Sequence, residues 1–504
     1  MAPYFLQNLI PRGERHENAR PLLVALREVT WVQWGLYFSG WLSWTCDSID
    51  FFSVSLSVTH LEAQFNRSTH DITTAITLTL LFRSVGGIIF GVISDRYGRK
   101  WPLIANLVFI AILELGCGFV QTYKQFLAVR SLFGIGMGGV WGMAASNAME
   151  NLPVEVRGIA SGFLQEGYAV GYMIAAVINL FLVPEVGAGW RSLFWAASGI
   201  SLFAAFVRLL LPESAMFLRA NAIEASMGHD SSKKTKVFIQ EIKLMLKKHW
   251  LLCIYGILFM TGFNFISHGS QDLYPTFLTV SKGLSNRDSN IAIIIGNCGA
   301  VAGGVFAGWS SQYIGRRLSI IVQVIIGIMR NSLAFIPLWI LPTSFRGLAI
   351  GAFCIQFGVQ GSLGVIPIQL AEMGPPAFRA TFAGLVYQAG NMISAASAQI
   401  EATGGEHLRK TVVQDGKLVD VPDYATVQGI LIGATAAYTI IITILGPENH
   451  SSRFEKHKTA FEEGAADDED ILAGKDEVTI EILSTDGSST PEQKQPSISK
   501  AEIA

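Results

Sequence analysis

Twelve apolar segments, each long enough for a membrane-spanning helix, constrain the fold of this chain. A spanning helix needs about 20 mostly apolar residues. Only 15% of the 504 residues are charged, whereas soluble proteins carry about 25%. We therefore predict an all-α membrane protein with twelve transmembrane helices. The segments, numbered in chain order as the first to twelfth spans, are 31–57, 72–94, 101–122, 125–148, 157–183, 190–211, 250–279, 290–312, 317–341, 345–371, 379–402 and 425–446.

The charged stretches divide the chain into five regions. A polar stretch splits the spans six and six, and the C-terminal tail is too poor in apolar residues to fold, so we expect it to be disordered. The regions are an N-terminal segment (1–30), a first six-helix bundle (31–211), a central loop (212–249), a second six-helix bundle (250–446) and the tail (447–504).

The distribution of Lys and Arg predicts the orientation in the membrane. Basic residues concentrate in the loops at 95–100 and 315–317 and in the central loop. All three fall on one side if the spans alternate, and this side is cytoplasmic by the positive-inside rule. Both termini are then cytoplasmic, and we expect the plasma membrane as the location. The outer loop near 59–70 carries Asn66-Arg67-Ser68, so Asn66 is predicted as a glycosylation site.

The two halves of the chain resemble each other. "GVISDRYGRK" (91–100) is echoed by "GWSSQYIGRR" (308–317), and "ENLPVEVRG" (150–158) by "EMGPPAFRA" (372–380). Such repeats are typical of secondary transporters, whose substrate site lies near the membrane midplane between the repeats. We therefore expect two pseudo-symmetric bundles with a site between them.

The loop after the second span resembles the signature loop of the major facilitator superfamily. This resemblance covers roughly residues 30–450 and implies the superfamily's transporter fold. Asp95 ends the second span, where the arginines can bridge neighbouring helix ends. Such pairs can stabilise one of two packings, so we predict a gating latch; the alternative is a solvated basic loop. In the second copy, Gln312 and Tyr313 replace the acidic and basic pair. The matching positions are Gly91, Asp95, Arg96, Gly98 and Arg99.

The seventh span contains an unusually polar stretch, "NFISHGSQDLYPTF" (264–277). It matches N-x-x-[ST]-H-x-[ST]-Q-D-x-x-x-T, which resembles the signature of the Jen-type fungal monocarboxylate (lactate/pyruvate):proton symporters, relatives of the sialate:proton symporters. In that family the Asn, His and Asp positions are linked to substrate recognition or proton coupling. The matching residues are Asn264, Ser267, His268, Ser270, Gln271, Asp272 and Thr276.

These residues also suit proton-coupled anion binding on chemical grounds. Asn264, His268 and Gln271 share a helix face, and Asp272 lies four residues past His268, within pairing distance. Histidine titrates near pH 6.5, and amides can donate to carboxylate oxygens without adding charge. We predict Asn264, His268 and Gln271 as substrate ligands, and His268 and Asp272 as the proton-coupling pair. The alternative is a buried hydrogen bond that only joins two helices.

Three further acidic residues lie within spans, where ionisable groups are costly and are therefore functional candidates. Asp47 and Asp50 in the first span resemble a D-x-x-D pair of the same family and of aromatic-acid:proton symporters. Neighbouring carboxylates disfavour joint ionisation, so we predict proton coupling; the alternative is an exposed outer helix end. Glu166 in the fifth span is predicted either as a proton carrier or as a packing partner.

A carboxylate site needs a positive charge, and Arg130 in the fourth span is the first candidate. Arg83 in the second span is the next. The alternative for Arg130 is a structural pairing with one of the three acids of the preceding paragraph. In the eleventh span, Gln388 and Asn391 share a face and resemble polar positions of the Jen-type family. They are expected to complete the carboxylate site, or to act as ordinary interhelical hydrogen bonders.

The sequence thus predicts a proton-coupled symporter that imports short-chain carboxylates (lactate, pyruvate, acetate or dicarboxylates) by alternating access. The alternatives are a proton-coupled sugar or aromatic-acid porter and a transporter-like nutrient sensor. The expected partners are the carboxylate, the proton and the lipid bilayer, and the tail lysines favour turnover through a ubiquitin ligase. We expect a monomer that is not an enzyme and has no cofactor, metal or nucleic-acid partner. The five cysteines, all in apolar runs, are expected to be buried thiols.

Overall fold

The computed structural model describes residues 21–149, 152–214, 217–218, 231–328, 344–375, 378–414 and 417–448. Some predictions therefore lie outside the described residues. They are the disordered tail with its lysines beyond 448, the first 20 residues, residues 215–216 and 219–230 of the central loop, and the second half of the ninth span.

Six spans form the first bundle, and the first two of them begin at sequence signals for capping. The hydroxyls of Thr30 and Ser68 accept the backbone N–H groups of Gln33 and Asp71, whose side chains accept in return, so both helices start at capping boxes. A short helix, Leu22–Glu28, precedes them. The spans are Trp31–Phe65, Thr69–Tyr97, Lys100–Cys117, Tyr123–Met149, the pair Val154–Gln165 and Gly167–Phe181, and Arg191–Leu210.

Four spans, one in the first bundle and three in the second, are broken where the sequence predicts single helices. We expected continuous fifth, seventh, tenth and eleventh spans, and each is interrupted. Irregular backbone at membrane depth is tolerated where it is buried in protein or lines a cavity. The elements are Trp250–Gln271, Tyr274–Thr276 and the π-helix Phe277–Ser281 in the seventh span, then Asn286–Ile314, Arg316–Ile328, Phe345–Leu363 with Ile366–Met373, Arg379–Ser394 with Ser397–His407, and Tyr424–Leu445.

Among the described residues, eight helices are apolar and long enough to cross a membrane by length and composition alone. The other four predicted spans are the first, fifth, ninth and eleventh. The first carries many Ser, Thr and Asp residues, the fifth and eleventh are each broken into two helices, and the ninth is described only in part. The architecture is that of the predicted twelve-helix fold.

Two elements add to the predicted arrangement. The central loop, expected to be a polar connection, contains the helix Ser231–Lys248. Strands Arg409–Gln414 and Lys417–Pro422 form an antiparallel hairpin between the eleventh and twelfth spans. The sequence between the two strands, Asp415-Gly416, is a strong hairpin signal when alternating apolar residues flank it. The hairpin lies at the end of the molecule that carries Asn66, here the Asn66 end; the opposite end, with the short basic loops, is the basic end.

The most extensive contacts between the bundles join the second span with the eleventh and the fifth span with the eighth. Small residues allow the second of these contacts. A Cβ added to Gly162 would lie 2.2 Å from the carbonyl oxygen of Gly304, and one added to Gly308 would lie 2.5 Å from that of Gly158. Small residues that let backbones approach are the usual basis of helix packing in membranes.

Within the first bundle, Gly138→Ala should destabilise the protein. An added Cβ there would lie 1.9 Å from the carbonyl oxygen of Arg83, so the second and fourth spans must separate. Such overpacking costs about 1–3 kcal/mol, and the melting temperature of the purified protein should fall by several degrees. The control is Gly199→Ala, where a Cβ meets nothing within 4 Å. Equal melting temperatures for the two variants would contradict the close packing.

Candidate functional site

The polar stretch of the seventh span contacts the eleventh span inside the second bundle. His268 Nδ1 lies 3.1 Å from Asp272 Oδ1, the i,i+4 contact that the spacing predicts. The other ring nitrogen, Nε2, lies 3.0 Å from Asn391 Oδ1. All three side chains are buried, and His268 is only 4% exposed. The structure therefore joins two groups that sequence reasoning placed on separate helices.

The same line of hydrogen bonds continues into the first bundle. Asn391 Nδ2 donates to Gln388 Oε1 over 2.9 Å, and Arg83 Nε donates to the same oxygen over 3.0 Å. Arg83 Nη2 then lies 3.1 Å from Asp47 Oδ2. The polar chain, as we call Asp272, His268, Asn391, Gln388, Arg83 and Asp47, thus crosses the bundle interface without interruption.

The direction of these hydrogen bonds can be followed from Gln388. Its Nε2 donates to the carbonyl oxygen of Gly138 over 3.0 Å, so its Oε1 is the acceptor for both Arg83 and Asn391. With the amides oriented by this network, Asn391 turns its oxygen towards His268. His268 Nε2 must therefore carry a hydrogen.

Because His268 Nε2 carries a hydrogen, the contact between His268 Nδ1 and Asp272 Oδ1 allows only two arrangements of hydrogens. If Nδ1 also carries a hydrogen, the ring is a cation beside an ionised carboxylate. If Nδ1 is bare, the carboxyl must supply the hydrogen, because two acceptors cannot bond to each other. In both cases one proton lies between Nδ1 and Oδ1.

Asn264 and Gln271 make contacts on other sides of the seventh span. Asn264 Nδ2 donates to the carbonyl oxygen of Tyr387 over 3.1 Å. Gln271 accepts from Gln360 at 3.0 Å and donates to Gln356 at 3.2 Å. These contacts hold the seventh span against the eleventh and tenth spans.

Aromatic rings surround the point where the polar chain crosses between the bundles. Tyr387 stacks on Trp141 with ring centroids 4.1 Å apart, and its edge faces Trp44 at 6.2 Å. The guanidinium of Arg83 lies 5.8 Å from the Trp44 ring centroid. Such contacts favour a desolvated cation, so these rings keep Arg83 in a confined, largely apolar setting.

Asp47 and Asp50 are both fully buried. The alternative that placed them at an exposed helix end is therefore wrong. Asp50 Oδ2 accepts from Ser201 over 2.9 Å, whereas Asp47 pairs with Arg83. Oδ1 of each carboxyl has no hydrogen-bond partner in the part of the chain that is described. The two neighbours thus have different surroundings, and Asp47 belongs to the polar chain.

Arg130 forms a salt bridge with a carboxylate that the sequence analysis missed. Its Nη1 lies 2.8 Å from Glu114 Oε2 in the third span, and both side chains are buried. The alternative reading of Arg130, a structural salt bridge, is therefore seen with Glu114 and not with Asp47, Asp50 or Glu166. The missed signal was available, since an acid within an apolar span is itself a candidate for a buried pair.

Glu166 lies at the break in the fifth span. Its carboxylate packs directly on the eighth span, because a Cβ added to Gly304 would lie 2.1 Å from Glu166 Oε1. Within the described ranges neither carboxylate oxygen has a hydrogen-bond partner, and the side chain is buried. The contact with the eighth span agrees with a packing role and leaves the carrier role a prediction.

The predicted latch residues lie at the basic end. Asp95 accepts a hydrogen bond from Thr381 of the eleventh span and lies 3.6 Å from Arg99, so it joins the two bundles. The guanidinium of Arg96 lies 5.0 Å from the Tyr97 ring centroid. Gly91 also faces the backbone of Thr381, and its lack of a side chain leaves room for the two helices to approach each other. The loop therefore contacts the other bundle directly, which a merely solvated loop would not do.

Glycine is required in this loop at Gly98. Its φ is +92°, a region that side chains disfavour, and an added Cβ would lie 2.5 Å from Glu213 Oε2. Glu213 in turn accepts from the backbone N–H of Lys100 over 2.9 Å. The glycine thus lets a carboxylate approach the start of the third span.

The second copy of the loop keeps part of this geometry. Glu448 accepts the backbone N–H groups of Arg316 and Arg317 at 2.8 and 2.9 Å, as Glu213 does for Lys100. Burial raises the pKa of Glu448, and the two N–H groups oppose that rise. Arg316 also pairs with Glu372 over 3.0 Å. Both halves therefore place a carboxylate at the start of a span.

Asn66 is exposed and ends the first spanning helix with a left-handed backbone (φ 51°). Its glycosylation stays a prediction.

The prediction that all five cysteines are buried holds only in part. Cys46, Cys117 and Cys253 are buried, Cys354 is half-buried and Cys298 is exposed. In the described segments no three His, Cys, Asp or Glu side chains are grouped to hold a metal ion.

Two helical bundles with a buried polar chain between them define a membrane transporter. The sequence model of the Major Facilitator Superfamily matches residues 35–398. The chain is 33% identical to the carboxylic acid transporter protein homolog of Saccharomyces cerevisiae, over 95% of this chain and 79% of the relative. The chain belongs to the Major Facilitator Superfamily.

More distant relatives extend the comparison. The cis,cis-muconate transport protein of Acinetobacter baylyi is 26% identical over 73% of this chain and 87% of its own length. The sialic acid transporter NanX of Escherichia coli is 26% identical over 70% of this chain and 82% of its own. The xylose transporter XylE from E. coli has a TM-score of 0.62 at 17% identity, covering 85% of this chain and 100% of that one, which shows the fold alone. These relatives confirm the family resemblances and are transporters, not enzymes.

Proposed function

We propose that this chain is a proton-coupled symporter that imports small carboxylates across the plasma membrane. The observation that carries the proposal is the polar chain, which links a site for one proton to a buried cation across the bundle interface. The names of three relatives support the substrate class, since carboxylic acids, muconate and sialic acid all bear a carboxylate.

The proton site in this proposal is the pair of His268 and Asp272. Without its proton, the pair sets the bare Nδ1 against a carboxylate. That arrangement is unfavourable where water is excluded, because neither acceptor has a donor. Proton binding from the more acidic external solution therefore stabilises the packing of the seventh span against the eleventh.

The substrate carboxylate would bind along the middle of the polar chain. Arg83 supplies a fixed positive charge and a planar pair of donors, and the amides of Gln388 and Asn391 can donate to the same anion. We propose Arg83 in preference to Arg130, because Arg83 also donates to Gln388 of the other bundle, whereas Arg130 pairs with Glu114 within one bundle. Asn264 and Gln271 then act by positioning the seventh span.

In this proposal the basic end faces the cytoplasm, and the bundles rock about the polar chain. Opening that end would break the bond between Asp95 and Thr381 and would separate the fifth span from the eighth. Glu166 lies in that second contact, so its separation from Gly304 would let water reach a buried carboxylate. The loop thus acts as a latch in one of two packings.

A dicarboxylate is the second candidate substrate, favoured by the muconate-transporting relative. The sugar alternative has less support, because the likeness to the xylose transporter shows the fold alone. Competition by a panel of mono-, di- and sugar acids against labelled lactate separates these classes. Inhibition by dicarboxylates at lower concentration than by lactate would favour the second candidate.

Uptake of labelled lactate into cells that produce the protein should rise as the external pH falls, because the inward step carries a proton. A protonophore should abolish accumulation. Cells that carry the empty vector are the control for passive entry of the protonated acid. Uptake that ignores both external pH and protonophore would rule out proton symport.

A further inference from the structure

A buried carboxyl that the polar chain does not include lies behind the proton pair, His268 and Asp272. This carboxyl belongs to Glu401 in the second helix of the eleventh span, and the side chain is fully buried. Its Oε2 accepts a hydrogen bond from Gln428 Nε2 of the twelfth span over 2.9 Å. Its Oε1 has no hydrogen-bond partner among the described residues. One oxygen is thus fixed by a neighbouring helix, and the other is left for a second contact.

The second oxygen of Glu401 faces the seventh span beside the proton pair. A Cβ added to Gly269 would lie 3.4 Å from Glu401 Oε1. Gly269 follows His268 directly, and Asp272 lies three residues further, on an adjoining face of the same helix. Asp272 is buried as well, and its Oδ2 has no hydrogen-bond partner in the described ranges. Two carboxyls, each with one unpartnered oxygen, therefore adjoin the same part of the seventh span.

The surroundings give Glu401 an acidic neighbour and no cation. Its helix, Ser397–His407, packs on the second, seventh and twelfth spans and on the second strand of the hairpin. The twelfth span contributes the neutral amide of Gln428, and the seventh contributes Asp272, whose charge acts on Glu401. A buried carboxylate without a cation is costly unless it is neutralised. A hydrogen on Oε1 removes this cost, because Oε2 already accepts from Gln428.

The remaining neighbours of this helix face away from Glu401. Gln399 lies two residues earlier, on the opposite side of the helix, and its Nε2 donates to Thr73 Oγ1 of the second span over 3.0 Å. In the hairpin, Asp420 is already paired with Arg409. Within the described part of the chain, the titratable group that faces Glu401 is therefore the carboxyl of the proton pair.

Glu401 is also close to the Asn66 end along its own helix. The helix ends six residues later, at His407, a distance of about 9 Å at 1.5 Å per residue, and His407 is exposed. The polar chain leaves the proton pair in another direction, through the contact of His268 with Asn391. A proton and a carboxylate can thus approach the pair from different sides.

We propose that Glu401 is the relay through which a proton from the Asn66 end reaches Asp272. This inference rests on the proposed proton symport. In the transfer, the Oε1–H bond of Glu401 breaks and an O–H bond forms at Asp272 Oδ2, across a bridging water. A half-turn of the Asp272 carboxyl then presents this hydrogen to His268 Nδ1. Glu401, now a carboxylate, takes a replacement proton from the external solution. The relay therefore sets the rate of proton loading and leaves the number of coupled protons at one.

Glu401→Gln tests the relay, because an amide keeps an acceptor for Gln428 but cannot pass on a proton. A positioned proton donor speeds proton transfer by about 10²–10⁴-fold, so the initial rate of labelled lactate uptake at neutral external pH should fall by at least about tenfold. The loss should shrink as the external pH falls, because direct protonation of the pair then becomes faster.

Two further measurements separate a relay from a structural role. Steady-state accumulation in Glu401→Gln should reach the wild-type level, because the pair still binds one proton. Counterflow exchange should stay unchanged, because a loaded carrier need not release its proton to exchange lactate. Glu401→Asp, which keeps a carboxyl, should recover part of the uptake rate. Glu406→Gln is the matched control, since Glu406 lies on the same helix but is exposed, and its uptake rate should equal that of the wild type.

Three results would overturn the relay and leave proton symport standing. They are an uptake rate for Glu401→Gln equal to that of Glu406→Gln, an equal loss of uptake and counterflow at normal surface amounts, and a loss of steady-state accumulation. The second result would make Glu401 a structural partner of Gln428, and the third would make it the carrier of the coupled proton. Wild-type uptake that ignores external pH overturns the proposed symport and this inference with it.

Discussion

Asp272→Asn should abolish accumulation of lactate against its gradient while leaving exchange of lactate across the membrane. The physical reason is the polarity of the pair. An amide at position 272 can donate N–H to His268 Nδ1, so the contact is satisfied with no proton to bind or release. The variant then resembles the proton-loaded carrier permanently. For one-proton symport each pH unit of gradient supports about tenfold accumulation, and the variant loses this factor.

The measurement compares steady-state accumulation with counterflow exchange in the same cells, after quantifying protein at the surface. Asp420→Asn is a suitable control. Asp420 pairs with Arg409 in the hairpin, where both side chains are about half exposed, and such a pair is worth about 0–1 kcal/mol. Accumulation in Asp420→Asn should equal that of the wild type. If Asp272→Asn still accumulates lactate with the pH gradient, the coupled proton is carried elsewhere, with Asp47, Asp50 and Glu166 as candidates.

The sequence predicts those parts of the molecule that depend on a single element. Span number follows from apolar length, and the contact between His268 and Asp272 follows from helical spacing, because residues four apart are neighbours on any helix. The caps at Thr30 and Ser68 are likewise local, since each satisfies backbone groups only three residues away.

Contacts between distant elements could not be predicted in the same way. Asn391 lies 123 residues from His268 and Gln388 lies 305 residues from Arg83. Which polar face meets which depends on packing between helices rather than on spacing. The break at Glu166 has the same origin, because it lies where the fifth span presses on Gly304 of the eighth.

The choice between Arg83 and Arg130 as the cation of the site also depends on contacts that the sequence does not predict. Both arginines lie in spans, and sequence alone ranked Arg130 first. Their difference arises from their partners. Arg130 meets Glu114 within one bundle, whereas Arg83 also reaches Gln388 of the other bundle. A charge shared between bundles can respond to their relative motion, and one neutralised within a bundle cannot.

Variants that remove both charges of one buried pair should distinguish an arginine that binds the anion from one that only balances a carboxylate. Arg83→Gln or Arg130→Gln alone leaves a buried carboxylate unpaired, which costs about 3–5 kcal/mol, so both single variants should reach the surface poorly. Replacing both members by uncharged residues of similar volume leaves no buried charge without a partner. The double variants Arg83→Gln/Asp47→Asn and Arg130→Gln/Glu114→Gln should therefore both recover folded protein.

The two double variants should then differ in ligand binding, measured as the rise in melting temperature of the purified protein with added lactate. The variant without Arg130 and Glu114 should keep this rise and should transport lactate, because in the wild type the charges of Arg130 and Glu114 only balance each other. The variant without Arg83 and Asp47 should lose both. Asp47→Asn alone, which keeps Arg83, should still bind. Loss of binding only in the folded variant without Arg130 and Glu114 would instead make Arg130 the anion's partner, because removing the carboxylate Glu114 does not take away an attraction for an anion.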